Sequence, residues 1–263
     1  MMTLLSNAKL KAFAKLHDKK YRDEEGLFLA EGNRAVAEIL ARPNAADILT
    51  ALVVRNGRSF EFSANFVNKT FTLPESEFNR LANTDAPQDV IAVCRQPVWL
   101  LSDVLNARAS KKKSLAVLLN GLQDAGNVGT IVRTAAWFGA DMILANADTA
   151  DFFNPKAVRS SAGSLFAVPL IRSRQFLQDT ALLKQRGYII CASALDGEAV
   201  TTKTLPAKLG LVIGNEGRGV SDGVLKASDK RLAISGDASA VESLNAAVAA
   251  GIFMSMYRQA HSY

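Results

Sequence analysis

From Ser114 onward, six short apolar runs, at 115–119, 142–145, 167–169, 188–193, 209–213 and 231–234, alternate with stretches of helical period. This alternation constrains the fold more than any other feature. A strand that is apolar without interruption is covered on both faces, and parallel strands need crossover connections that are usually helices. The second half of the chain is therefore expected to be α/β with a largely parallel sheet. Its last helix carries Leu244, Val248, Ile252 and Met256 every four residues, with Ala249 and Phe253 beside them, which predicts a broad apolar face. Ser239-x-x-Glu242 has capping-box spacing, and Ser243 is a second candidate cap.

The first half has a different texture. Residues 1–20 fit a basic helix with Leu5, Leu10, Phe13 and Leu16 on one face. A strand at 26–30, a helix at 34–40 ended by Arg42-Pro43, a strand at 51–55, an alternating stretch at 66–71, a helical piece at 75–82 and a strand at 90–94 follow. The expected organisation is a small α/β domain over 1–97, a connector over 98–113 that ends in Lys111-Lys112-Lys113, and a larger domain over 114–263. With 263 residues and 49% apolar side chains, the chain has material for two cores.

Thirty-one basic against 25 acidic residues leave a net charge of +6, and the pI is about 9.4, which favours a polyanionic partner. Cys94 and Cys191 lie in apolar runs with no CxxC spacing, as reduced thiols of a cytoplasmic protein would. Lys9, Lys11 and Lys15 interrupt the first turns, so no signal peptide is expected, and no run approaches the roughly 20 apolar residues of a membrane span. The two histidines, His17 and His261, stand near the ends. A histidine base and a multi-histidine metal centre are excluded on that ground, and no metal is expected. There is no Gly-x-Ser-x-Gly elbow either.

Three blocks punctuate the second half: Gln123-Asp124-Ala125-Gly126-Asn127-Val128-Gly129 running to Arg133, Gly214-Asn215-Glu216-Gly217-Arg218-Gly219, and Glu242-Ser243-Leu244-Asn245. Each sits where a strand gives way to a helix. In α/β sheets such junctions collect outside the carboxyl ends of the strands, where ligands bind. Bare helix N–H groups with Arg133 would grip a phosphate or an oxyanion, although a tight turn with a surface arginine has the same spacing. The glycine block lacks both the dinucleotide fingerprint and the P-loop ending, and Glu216 would repel phosphate; it suits a cationic or neutral ligand, or simply a turn. The third block is, by default, a helix cap.

Taken in order and at these separations, the blocks resemble the three motifs of the SpoU/TrmH family of S-adenosylmethionine-dependent RNA ribose 2′-O-methyltransferases, members of the knotted SPOUT class. Phe28-Leu29-Ala30-Glu31-Gly32 with Arg34, together with 87–93, is similar to that family's amino-terminal, L30e-like substrate-binding domain, and 154–163 resembles the segment between the first two motifs. The resemblance implies a C-terminal SPOUT domain with a mostly parallel sheet and a deep trefoil knot, an exception among folds. It implies Arg133 as the catalytic arginine, Asn127 as its motif partner, and Glu216, Ser243 and Asn245 completing the polar site. Gly214, Ile234 and Leu244 would meet the methyl donor largely through backbone. A homodimer through the C-terminal domain and a 23S ribosomal RNA substrate are expected, with a tRNA 2′-O-methyltransferase or a non-catalytic RNA-binding protein as the alternatives. Lys15, Lys19, Lys20, Arg22 and Arg34, with Lys9, Lys11 and Lys111 to Lys113, would form a basic track for RNA. Departures from the family pattern are Ala125 in place of a proline, Ser235 and Gly236 in place of Pro-Met, and a longer 234–244 segment.

Overall fold

The computed structural model describes residues 3–84, 86–237, 239 and 241–261, so the first two residues of the expected N-terminal helix and the last two of the chain lie outside it. Two compact units emerge: the residues up to Pro97 together with Asp151–Phe166, and Val98–Ala150 together with the residues from Ala167 onward.

The first unit opens with β1 (Thr3–Leu4), α1 (Asn7–Ala14), a 3-10 turn and α2 (Lys19–Glu25). The single helix expected over 1–20 is thus broken. Asp18 adopts an extended conformation and its carboxylate caps the backbone N–H of Lys20, which starts a new helix. Leu10, Phe13 and Leu16 nonetheless face the core, because the break preserves their side of the chain. Then follow β2 (Leu27–Glu31), α3 (Asn33–Leu40), α4 (Ala45–Ile48), β3 (Leu49–Arg55), β4 (Thr70–Leu73), α5 (Glu75–Leu81) and β5 (Val90–Arg95). The stretch expected to alternate over 66–71 is a 3-10 helix to Lys69, initiated by Ser63, and becomes strand only at Thr70. The strands form a mixed sheet in the order β1-β4-β3-β5-β2.

The second unit contains α6 (Leu101–Ala107), β6 (Ser114–Asn120), α7 (Ala125–Trp137) and β7 (Met142–Ala145). The chain then contributes α8 (Pro155–Ser161) to the first unit, where Phe153 and Phe166 pack on the ring of Phe28 at 4.9 and 5.9 Å. It returns as β8 (Leu170–Arg172), α9 (Phe176–Gln185), β9 (Ile189–Ala199), β10 (Lys208–Gly214), α10 (Asp222–Ala227), β11 (Lys230–Ala233) and α11 (Ala246–Ala260). Every strand pairing here is parallel, in the order β11-β9-β10-β6-β7-β8. That is the covered parallel sheet the apolar runs dictate.

Three expectations shift in detail. The stretch 98–113 carries a helix whose Leu101, Val104 and Leu105 are buried in the second unit's core. The strand placed at 167–169 lies at Leu170–Arg172, since Pro169 has no N–H to give and offers its carbonyl to Ile143 instead. On α11 the buried side is Ala246, Ala247, Ala250, Phe253, Met254 and Tyr257, while Leu244 and Val248 are 45% and 52% exposed. A Cβ on Gly251 would make ordinary contact with Thr134 of α7, at 3.7 Å. The inner face combines the small Ala246, Ala247 and Ala250 with the bulky Phe253, Met254 and Tyr257.

Candidate active site

The carboxyl edge of the second unit's sheet is where β6, β7 and β10 end, and Gly214 is in register with Asn120 there. The three sequence blocks leave from this edge. Asp124 caps α7 by accepting from the backbone N–H groups of Gly126 and Asn127, which places Asn127 in the first turn. After β10 the chain makes a tight loop in which Asn215 and Gly219 exchange two backbone hydrogen bonds of 2.9 Å. Gly219 takes φ +69°, a conformation that favours glycine. Gly214 is required for a different reason: an added Cβ would lie 2.2 Å from the Gly219 carbonyl carbon and 2.3 Å from the Val220 nitrogen. Asn215 locks the loop, accepting from the N–H groups of Gly217 and Arg218 and donating to the Gly121 carbonyl at 2.8 Å.

The third block supplies the cap of α11. The expected caps, Ser239 with Glu242 or Ser243, are not used: the helix begins at Ala246, and Asn245 Oδ1 accepts from the N–H groups of Ala247 and Val248. This choice has a chemical consequence. With its oxygen committed to the helix end, Asn245 must turn its Nδ2 outward, and that nitrogen donates to Asn127 Oδ1 at 3.0 Å. Asn127 in turn must present Nδ2, which donates to Glu216 Oε1 at 2.9 Å. Helix capping therefore fixes the direction of a three-residue relay that ends on a carboxylate. Residues 118 and 89 positions apart in sequence are joined through one asparagine.

Arg133 lies on α7 six residues beyond Asn127, about 9 Å along the helix axis. It is exposed and makes no hydrogen bond or ion pair among the described residues. Ser243 and Leu244 are exposed on the approach to Asn245, and Ile234 follows β11 half-buried. The relay thus gathers Asn127, Glu216 and Asn245 directly; Gly214 ends β10 two residues before Glu216, Ser243 and Leu244 immediately precede Asn245 in sequence, and Arg133 and Ile234 make no bond to the relay. Asn215 and Asp124 were missed as organisers of the site, although an Asn directly after a strand-ending glycine is itself a turn signal.

The expected basic track changes. Arg22 is 2% exposed; it donates to the carbonyls of Leu16 and His17 and pairs with Asp151 at 2.8 Å within the first unit. It serves as a strut between α2 and the 151–166 segment and is withdrawn as an RNA contact. Lys19 and Lys20 pair with Asp23 and Glu24, one turn along on the exposed face of α2. Lys111 pairs with Asp141 at the amino edge of the second sheet, about 20 Å of strand from Asn120. Burial pushes the Asp141 carboxyl up, but hydrogen bonds from Lys111, Ser114 and Arg108 and the Lys111 charge hold it below the ordinary carboxylate range. The run 111–113 therefore begins at the edge remote from the relay.

Residues 114–255 match the family described as the SpoU rRNA Methylase family, and residues 7–92 match the MRM3-like substrate binding domain. The chain is 34% identical to the 23S rRNA (guanosine(2553)-2′-O)-methyltransferase RlmP of Bacillus subtilis, over 94% of this chain and 95% of that one. Among solved structures, a putative RNA methyltransferase of the TrmH family from Porphyromonas gingivalis superposes with a TM-score of 0.81 at 31% identity, covering 98% and 100% of the two chains. An AdoMet-bound rRNA methyltransferase from Sinorhizobium meliloti gives 0.78 at 28% identity, covering 98% and 97%.

Proposed function

The chain belongs to the SpoU rRNA methylase family, and from that premise we propose that it transfers a methyl group from S-adenosylmethionine to a ribose 2′-hydroxyl of 23S ribosomal RNA. The observation that carries this reading is the Asn245–Asn127–Glu216 relay, which ties all three sequence blocks into one polar cluster at the carboxyl edge of the sheet.

The residues present suit this donor. Gly219 in this loop and Gly236 after β11 have open space where a side chain would be, so bare backbone is presented at both. Glu216 adds a carboxylate, attractive to a sulfonium cation and repulsive to phosphate. S-adenosylmethionine, when bound, supplies a methyl carbon open to in-line displacement. Gly214, Ile234 and Leu244 are the positions assigned to hold it. Asn127 and Asn245 act as positioning residues that keep the Glu216 carboxylate in one orientation. Arg133, unpartnered on an exposed helix face, is assigned to the phosphate beside the target ribose and to the negative charge that develops on its 2′-oxygen. A guanidinium remains protonated at neutral pH, so accepting the hydroxyl proton is not among its tasks. Ser243, exposed beside Asn245, completes the polar rim.

Several finer assignments belong to the same reading. RNA would meet the first unit through Lys15, Lys19, Lys20 and Arg34. We place this work on ribosomal RNA in the cytoplasm; no helix among the described residues is long and apolar enough to cross a membrane. The exposed Leu244 and Val248 and the 84% exposed Trp137 on α7 form apolar surface suited to a homodimer through the C-terminal half. The knotted path belongs to the same reading and rests on the match to the family. The test of function is a map of ribose methylation across total RNA from cells with and without this gene. One 23S position that loses its 2′-O-methyl group, restored by the parent and not by an Arg133→Ala variant, is the expected result; an unchanged map refutes it.

A further inference from the structure

A second concave site lies in the same unit, on the sheet face covered by α6, α9 and α10. Leu118 and Leu144 point into that layer, together with Phe176 and Val224. Because side chains alternate along a strand, Asn120 and Asn146, two positions further on, point to the same face. Leu119 is in register with Ala145, so Asn120, the last residue of β6, and Asn146, just past the end of β7, stand side by side. They line a cavity of about 320 Å³ whose rim is completed by Gln175, Gln178, Ser221 and Phe176. Such a volume is at the small end of the range for small-molecule sites, ~300–1,000 Å³.

The two asparagines are oriented by the backbone, as in the relay. Asn120 is 6% exposed, and its Oδ1 accepts from Ser221 N–H at 2.8 Å. Its Nδ2 is thereby left as the outward group, and it has no hydrogen-bond partner among the described residues. Asn146 is 9% exposed; its Oδ1 accepts from Gly121 N–H and from the Thr149 hydroxyl, and its Nδ2 spends one hydrogen on Asp148 at 3.3 Å. The cavity therefore offers neighbouring amide donors from two nine-tenths-buried side chains, an apolar floor and no charged lining residue. Nothing there balances a phosphate or a sulfonium. A neutral, flat, acceptor-rich ligand fits, and keto nucleobases are of that kind: guanine shows O6 and N7, uracil shows O4.

We propose that this crevice binds an unstacked keto nucleobase of the RNA substrate, close to the nucleotide that is methylated. The inference rests on RNA being the substrate. It is supported by continuity, because the loop that begins with Asn215 and Glu216 at the relay ends with Ser221 at the cavity. Sequence-specific RNA recognition commonly works on splayed bases in this way.

Asn120→Asp tests the idea without removing the structural hydrogen bond, since a carboxylate still accepts from Ser221 N–H while the donor becomes an acceptor. The four ribonucleosides are titrated onto the full-length protein by NMR, with S-adenosylhomocysteine saturating so that the donor site is out of the readout. Guanosine or uridine should bind at roughly millimolar affinity, cytidine and adenosine at least about tenfold more weakly. In Asn120→Asp the order should reverse, toward adenosine and cytidine, which carry an amine where guanosine and uridine carry the keto oxygen. A protein that binds none of the four, or a variant with unchanged preference, overturns the proposal. This arm does not depend on methyl transfer, so it can fail while the methyltransferase reading stands, and the reverse. A second arm separates RNA from free nucleoside as the natural source. Substrate RNAs with single abasic sites should show one position whose loss costs the parent about tenfold in kcat/KM and costs Gln175→Ala with Asn120→Asp little more. Abasic effects identical in parent and variant refute the RNA assignment.

Discussion

Replacing Gly214 by alanine tests whether the loop after β10 is held by close backbone approach. The new Cβ would stand 2.2 Å from the carbonyl carbon of Gly219, 2.3 Å from the nitrogen of Val220 and 2.5 Å from the Gly219 oxygen. All three are backbone atoms, so no side chain can swing away. Ordinary contact requires the 219–220 segment to retreat by roughly 1 Å, which stretches the two 2.9 Å bonds between Asn215 and Gly219 beyond hydrogen-bonding range. At about 0.5–1.5 kcal/mol per bond, the loss is about 1–3 kcal/mol before any added strain. For a unit of this size that lowers Tm by roughly 3–10 °C. If the parental loop is the one that binds donor, the same energy weakens S-adenosylmethionine binding by about 5- to 150-fold. Gly217→Ala is the matched control: its nearest neighbour would be Asn215 Oδ1 at 3.8 Å, and its melting should stay within about 0.5 kcal/mol of the parent. Differential scanning calorimetry and isothermal titration of the donor supply both numbers. A Gly214→Ala protein that melts and binds like the parent refutes the steric reasoning.

Other perturbations have equally definite outcomes. Arg133→Ala should lower single-turnover methylation by at least about 100-fold while donor affinity, measured by calorimetry, changes less than about twofold; a variant with parental rate removes Arg133 from the site. Asp141→Asn, which discharges a buried carboxylate facing Lys111 and Arg108, should cost about 2–3 kcal/mol in chemical denaturation at pH 7. Because the folded state holds that carboxyl below its ordinary value, its contribution is complete above pH ~4 and fades as pH falls through the folded value, so parent and variant should converge in stability there. His17 behaves oppositely to a paired histidine: burial lowers its pKa below 6.5, against the Leu81 backbone and Glu31, so the first unit should lose stability as pH drops below about 6.5, and His17→Gln should flatten that slope. RNA affinity should fall steeply between 50 and 200 mM salt, with a shallower slope in Lys15→Ala; a flat response in the parent would remove the basic surface from recognition.

Sequence alone determined the centre of the second unit's sheet, because a parallel strand covered on both faces has to be written as an uninterrupted apolar run, as in β6, β7 and β10; the edge strands β8 and β11, with Arg172, Lys230 and Arg231 exposed, were marked less sharply. It also marked the three blocks, since tight turns at strand ends demand Gly, Asn and Asp wherever they occur. What it left open was partnership. The apolar stripe through Leu244, Val248, Ile252 and Met256 was legible, yet the packed side of α11 is the one carrying Ala246, Ala247, Ala250, Phe253, Met254 and Tyr257, and only the tertiary neighbours could decide that. Arg22 looked like one more surface cation until Asp151, 129 residues away, was brought beside it. Neither choice has a local signature: both depend on which distant surface arrives. The relay shows this most directly. Asn127, Glu216 and Asn245 each had an ordinary reading as a turn or cap, and it is the folded sheet edge that joins them through Asn127 by hydrogen bonds of 2.9 and 3.0 Å. Once they are there, the cap on α11 dictates which way every amide points.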